Sequence, residues 1–281
     1  MASAGKPDTY DGKGKRLYIV TFGCQMNSRD SELVIGQFLS GGYQLTQDAK
    51  KADVILLNTC SVRQHAEDKV FSELGRLRKL KITNPKLQST NKFQITNSPE
   101  SAGSRYRGKS KNKKLTTNNQ SPIIGVIGCM ATNLGNKIIE RMPYVDLVVG
   151  PNDLAHLYEN VRAIQKERQN IVAVDSEIRD TSFYKHLYHE DKTHCYVNIS
   201  EGCSNFCSYC VVPYVRGRHR SRSTEDILKE IKQLVKDGVS SITLLGQNVN
   251  DYNSEDRIQK PKKNLVEFVE LVEMISDIKG I

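Results

Sequence analysis

Between residues 16 and 174 one pattern repeats: a short apolar run, then a stretch with apolar positions three and four apart. Arg16-Leu-Tyr-Ile-Val-Thr-Phe22 predicts a strand, and 28–40 a helix with Ser28 as its N-cap and acids in its first turns. The run 53–58 is apolar from Val54 to Leu57, the mark of a strand buried on both faces of a parallel sheet. Val62, Ala66, Val70, Leu74 and Leu77 then recur at helical spacing over 62–81, and the basic end of that stretch suits the negative pole of a helix. Runs 123–128 and 145–150 predict two further buried strands, with helices over 133–141 and 152–166. Alternation at this spacing predicts an open parallel α/β sheet.

The pattern then changes. Residues 175–193 are aperiodic and read as a linker. A strand over 194–200 leads straight into a cluster of cysteines, and 224–236 predicts a helix with Thr224 as cap, Glu225 and Asp226 in its first turn, and Gly238 as its stop. A strand over 241–246 and a helix over 264–276 complete the series. The length of 281 residues fits roughly two domains at about 150 residues each.

Charge modifies this picture in one place. The chain carries 41 Lys and Arg against 32 Asp and Glu, and residues 81–121 hold seven Lys, two Arg and a single acid, Glu100. Residues 86–121 are rich in Ser, Thr, Asn and Lys without sustained periodicity, so they predict a disordered basic insertion, able to touch nucleic acid through phosphate charge. No apolar run approaches the ~20 residues that span a bilayer, and the first residues lack the apolar stretch of a signal peptide. The expected location is the cytoplasm, without a membrane partner, and there cysteines serve more often as ligands or catalysts than as disulfides.

The seven cysteines fall at 24, 60, 129, 195, 203, 207 and 210. Cys203-Ser-Asn-Phe-Cys207-Ser-Tyr-Cys210 places three thiolates within eight residues, on a loop leaving a strand, where they can converge on one cluster of soft metal ions. Three thiolates can hold three irons of a [4Fe–4S] cube and leave the fourth open to a small molecule. The alternative is a closed four-cysteine zinc or iron site completed by Cys195. Strand alternation, however, puts Cys195 on the face of Val197 and Ile199, where a buried apolar residue belongs. Cys24, Cys60 and Cys129 each follow a predicted strand. In a parallel sheet all strands end on one edge, where ligands bind, so three thiols 36 and 69 residues apart in sequence can meet.

The C-x3-C-x2-C spacing, with Tyr209 before the last cysteine, resembles the radical S-adenosylmethionine (SAM) superfamily. The string from Glu201 to Arg218, together with Thr-Phe-Gly-Cys24-Gln-Met-Asn, Asn58-Thr-Cys60-Ser-Val-Arg and Ile-Gly-Cys129-Met-Ala, is similar to the tRNA methylthiotransferases of the MiaB family. The resemblance implies an N-terminal open parallel-sheet methylthiotransferase domain over 16–174, then a linker over 175–193. The first units of a partial (β/α) radical SAM barrel would occupy 194–281, in a chain truncated relative to the family. It implies two [4Fe–4S] clusters, one on Cys203, Cys207 and Cys210 that binds SAM, and an auxiliary one on Cys24, Cys60 and Cys129 that delivers sulfur.

Gly246, Gln247 and Asn248 fall where the superfamily places a SAM-contacting turn. The implied reaction installs a methylthio group on carbon 2 of N(6)-dimethylallyladenosine beside the tRNA anticodon. One SAM would donate the methyl group and another would generate the radical. The implied partners are the tRNA anticodon loop, SAM, an electron donor and a sulfur source, with the protein a monomer. Gln-Met-Asn after Cys24 and Leu-Gly-Gln-Asn-Val-Asn-Asp-Tyr252 favour that substrate over a ribosomal protein. A non-catalytic iron–sulfur or RNA-binding fragment is the other alternative. Arg216, Arg218, Arg220 and Arg222 are candidate phosphate contacts, and His186, His189 and His194 carry no assigned role.

Overall fold

The computed structural model describes residues 12–61, 64–81, 121–176, 178–185, 188–253 and 266–281. The predicted insertion therefore lies outside the described residues except for Ser121, as does the start of the helix expected from Val62.

The first half forms the predicted sheet. Strands β1 (Arg16–Phe22), β2 (Gln44–Leu45), β3 (Val54–Thr59), β4 (Ile123–Gly128), β5 (Leu147–Val149) and β6 (Ile171–Ala173) lie in the order β2-β1-β3-β4-β5-β6, every pair parallel. Helices α1 (Gln25–Ser40), α2 (Gln64–Lys81), α3 (Cys129–Leu134), α4 (Asn136–Arg141) and α5 (Leu157–Lys166) connect the strands. Both faces are buried, as the continuous apolar runs require. Val54, Leu56, Ile123, Ile127, Leu147 and Val149 pack with α1 and α5 on one side. Ile55, Leu57, Ile124, Val126 and Val148 pack with Val70, Leu74 and Leu77 of α2 and with α3 and α4 on the other.

The second half contributes β7 (His194–Asn198), the two-residue strands β8 (Ser200–Glu201) and β9 (Arg220–Ser221), β10 (Ser241–Leu245), and helices α6 (Val212–Val215), α7 (Thr224–Lys236) and α8 (Phe268–Ser276). β7 and β10 pair in parallel through the α7 crossover, which makes a β–α–β unit, and β8 pairs antiparallel with β9. Its core gathers Cys195, Val197, Ile199, Ile227, Ile231, Leu234, Tyr252, Leu271 and Ile275. No helix among the described residues is long and apolar enough to cross a membrane.

Several boundaries differ from expectation. The first helix starts at Gln25, so Cys24 and not Ser28 is its N-cap; the Ser28 amide already donates to the Cys24 carbonyl at 3.1 Å. Ser223 and not Thr224 caps α7, its hydroxyl accepting from the Asp226 amide at 3.1 Å, while Thr224 Oγ1 lies 3.0 Å from the Tyr252 hydroxyl. The helix expected over 133–141 begins at Cys129 and breaks at Gly135 into α3 and α4. That expected over 152–166 opens as a 3-10 turn, Pro151–His156, before α5. The expected strand 194–200 divides between β7 and β8, and the last helix begins at Phe268, with Glu267 and Glu270 forming a reciprocal cap. Strands β2, β6, β8 and β9 were not anticipated, since two or three residues are too few to show a period.

Most described residues of 175–193 are exposed, but three are anchored. Arg179, Phe183 and Tyr184 are buried, the latter two against the core beneath α1 and α5.

Candidate functional site

Three adjacent strands end in register. Phe22 of β1 pairs with Thr59 of β3, and Thr59 pairs with Gly128 of β4. Cys24, Cys60 and Cys129 follow these partners by two, one and one residues, on strands about 4.8 Å apart. The Cys60 amide donates back to the Phe22 carbonyl at 2.9 Å, fixing the second cysteine beside the first strand.

The thiols sense each other. A hydrogen bond from the Cys60 side chain draws the Cys24 thiol down to about 5, against the cost of its own burial, with the Arg216 guanidinium assisting. Cys24 Sγ also sits 3.2 Å from Asn27 Oδ1, to which its protonated form donates. Burial pushes the Cys129 thiol up, and the Cys24 charge adds to that, while Arg216 opposes it. Beside Cys24 lies a buried amide pair: Asn27 Nδ2 donates to Asn58 Oδ1 at 3.0 Å, and Asn58 Nδ2 to the Asn27 carbonyl at 2.8 Å. Sequence reasoning gave neither asparagine a role, although Asn58 is a polar residue closing an apolar strand.

The second cysteine set occupies the loop after β8. Gly202 turns into it at φ +73°, where an added Cβ would stand 2.1 Å from the Arg218 carbonyl, so glycine is required by both conformation and space. The Cys203 amide donates to the Gly217 carbonyl at 3.1 Å, and the Cys210 amide to the Cys207 carbonyl at 2.9 Å. Phe206 takes a left-handed conformation, φ +46°, with its ring edge-on to Tyr214 at 5.9 Å. Cys207 is exposed, and Cys203 and Cys210 are half-buried. Cys195 lies apart from both sets. It is fully buried in the β7–β10 core, and burial raises its thiol to about 11.

Among the described residues, no three His, Cys, Asp or Glu side chains stand as ligands to a single ion. That excludes neither cluster: in a cube each cysteine holds a different iron, so the sulfurs stand farther apart than ligands of one ion. The donor chemistry at the sheet edge fits a thiolate-bound group, with soft ligands only, one thiol already acidified and a cation against another; the Cys203 loop offers three soft ligands, one exposed and two half-buried.

Gly246, Gln247 and Asn248 follow β10 directly. A Cβ on Gly246 would lie 2.4 Å from Ser200 Oγ, so a side chain there would close the gap between the two strand ends. Gln247 Oε1, Ser200 Oγ and Asn198 Oδ1 are buried without hydrogen-bond partners among the described residues. Unsatisfied polar atoms at the carboxyl ends of parallel strands suit a polar ligand. Asn248 Nδ2 donates instead to Asp251 Oδ2 at 2.6 Å, holding the turn.

The four arginines divide. Arg216 and Arg222 are buried and do not face solvent as phosphate contacts would. Arg216 donates from Nη2 to Asp30 at 2.8 Å and from Nε to Cys129 Sγ at 3.2 Å. Arg222 pairs with Glu230 at 2.7 Å and lies over the Tyr184 ring. Isolated guanidinium groups are costly to bury, so these two joined the acids that the fold brings inside. Arg218 is exposed and Arg220 half-buried, its Nη2 donating to Asn152 Oδ1 at 3.4 Å, and both remain candidate phosphate contacts.

Arg179 bridges Asp30 of α1 and Glu201 of β8, each at 2.8 Å, and Arg29 of α1 reaches Glu230 of α7 at 2.6 Å. The two cysteine sets thus belong to elements joined by buried charge.

Residues 16–92 match the model of Uncharacterized protein family UPF0004, and residues 197–281 match that of the Radical SAM superfamily. A tRNA-2-methylthio-N(6)-dimethylallyladenosine synthase of Desulforamulus reducens is 38% identical over 95% of this chain and 50% of its own length. The synthase of the same name from Janthinobacterium sp. (strain Marseille) is 40% identical over 95% of this chain and 51% of its own. Among solved structures, the radical SAM methyltransferase TsrM of Kitasatospora setae covers 84% of this chain and 48% of that one, at 11% identity and a TM-score of 0.46. The chain spans about half the length of the curated relatives it matches. The chain thus carries a UPF0004-matching segment followed by one that matches the Radical SAM superfamily, and 95% of its length is similar to about half of synthases of that name.

Proposed function

We propose that this chain takes part in methylthiolation of carbon 2 of N(6)-dimethylallyladenosine, next to the anticodon of a tRNA. SAM is both methyl donor and radical source in this reading. The observation that carries it is the in-register ending of β1, β3 and β4, which delivers Cys24, Cys60 and Cys129 to one sheet edge. These three residues would hold one [4Fe–4S] cluster, and Cys203, Cys207 and Cys210 a second. A cluster with one iron free of protein ligands supplies a chelation point for SAM and the single electron that cleaves it, chemistry suited to a carbon–hydrogen bond without acidity.

The rest is work for the chain's own side chains. Gly246 keeps the ends of β7 and β10 open, and Ser200, Asn198 and Gln247 offer their unpaired polar atoms to SAM. Phe206, Tyr209 and Tyr214 are exposed around the cysteine loop beside Arg218, a surface on which unstacked anticodon-loop bases can rest. An electron donor and a sulfur source come from outside the chain, and the expected setting is the cytoplasm.

Anaerobic reconstitution with iron and sulfide tests the reading: about eight irons per chain are expected for two cubes, with SAM cleaved on reduction. Iron uptake without cleavage would favour a non-catalytic binding protein. Nucleoside mass spectrometry on cells lacking the gene should show loss of methylthio-adenosine from tRNA; unchanged levels would exclude tRNA as substrate.

A further inference from the structure

Arg216 closes the four-residue helix α6, six residues after Cys210, yet its side chain ends in the other half of the molecule. It is 2% exposed. Nη2 donates to Asp30 Oδ2 at 2.8 Å, Nε to Cys129 Sγ at 3.2 Å, and Nη1 is buried with no partner among the described residues. One feature is unusual for a guanidinium placed only to hold a fold: it spends a donor on a sulfur. Its unpartnered Nη1 it shares with Arg179, whose Nε and Nη2 are also buried without a partner among the described residues, at a cost in free energy. Arg179 already ties Asp30 to Glu201 without touching any cysteine, so joining the two halves does not require Arg216 to reach Cys129.

We propose that Arg216 is a positioning residue for the centre held by Cys24, Cys60 and Cys129. Its Nε fixes the Cys129 sulfur, and its charge favours the reduced form of that centre. Asp30 sets how much of that charge the centre feels. The inference rests on the cluster reading given above. A centre with three thiolates gains negative charge when it takes up an electron, and hydrogen bonds and net charge around the sulfurs set its potential.

The test uses the full chain with Cys203, Cys207 and Cys210 all changed to Ala, so that iron loads at one place only. Reconstituted anaerobically, this protein and its Arg216→Gln, Arg216→Lys and Asp30→Asn derivatives are titrated with dithionite and followed by electron paramagnetic resonance. The expected order of reduction potential is Arg216→Gln lowest, then Arg216→Lys, then the parent, then Asp30→Asn highest. Between the Gln variant and the parent, the oxidised-to-reduced ratio at a fixed potential should change at least tenfold, or about 59 mV for one electron.

General damage to the fold would move both kinds of variant the same way, whereas the charge argument moves Arg216→Gln and Asp30→Asn in opposite directions. Where one variant fails to take up iron, the order of the remaining ones decides. Potentials that coincide, or that shift with like sign, overturn the proposal. So does loss of iron from all three, which would make Arg216 and Asp30 a purely structural pair. If the parent itself holds no iron, the cluster reading falls and the proposal with it. Iron with an indifferent potential defeats only the role of Arg216.

Discussion

At the scale of the residue, the cysteines divide by environment, and the division can be measured. Cys195 lies in an apolar core, where burial keeps its thiol protonated to about 11, while Cys24 is acidified to about 5 by the hydrogen bond from Cys60. In metal-free protein, iodoacetamide at neutral pH should label Cys24 early and Cys195 only after unfolding, as peptide mass mapping would read. Prompt labelling of Cys195 would contradict its placement. Cys195→Ser should lower stability by about 1–3 kcal/mol through a buried hydroxyl without a partner, seen in urea melts, with iron stoichiometry unchanged. Strand alternation alone set Cys195 apart, because one residue's face is legible from period two. Arg216 and Arg222 were not legible in that way. A run of arginines reads as a solvated face until the acids that meet them, Asp30 and Glu230, are brought near by the fold.

At the scale of the element, the loop that carries Cys203, Cys207 and Cys210 depends on one backbone position. Gly202 stands at φ +73° with the Arg218 carbonyl where a Cβ would go. Gly202→Ala should therefore cost more than about 1 kcal/mol and lose roughly half of the reconstituted iron. Retention of full iron content would show that the loop tolerates another path. A milder change lies at the start of α7, where Ser223→Ala removes the cap on the Asp226 amide and should cost about 0.5–2 kcal/mol in thermal or urea unfolding. Strands buried on both faces were legible because Val54 to Leu57 and Ile123 to Ile127 leave no polar side for solvent. Helix starts were less so. Ser28 and Thr224 have the right chemistry for caps, but Cys24 and Ser223 hold the extended backbone where the chain leaves the preceding segment. That the three cysteines share one sheet edge was legible from the parallel pattern, but the adjacency and register of β1, β3 and β4 were not, since pairing order is a property of the assembled sheet.

At the scale of the whole molecule, the two halves are joined by a charge network from which water is excluded. Arg179 stands at its middle, between Asp30 of α1 and Glu201 of β8, with Arg29–Glu230 as a second tie. Such pairs add little net stability over an apolar substitute, but deleting one partner strands the others, at about 3–5 kcal/mol. Arg179→Ala should therefore uncouple the halves, so that a single calorimetric transition of the metal-free chain becomes two. Acid provides the same cut without a mutation. Burial alone would raise the Asp30 carboxyl, but Arg179 and Arg216 outweigh it and hold the group below the usual carboxylate range. The sign follows: this stabilisation is complete above the unfolded value of about 3.9 and is lost as pH falls through the lower folded value. Scans from pH 7 to pH 3 should show the wild-type transition moving down and dividing only at the acid end, whereas Arg179→Ala should already be divided at pH 7. A variant that still melted in one step at neutral pH would mean that apolar packing, and not the buried ions, holds the cysteine-bearing loop against the sheet edge.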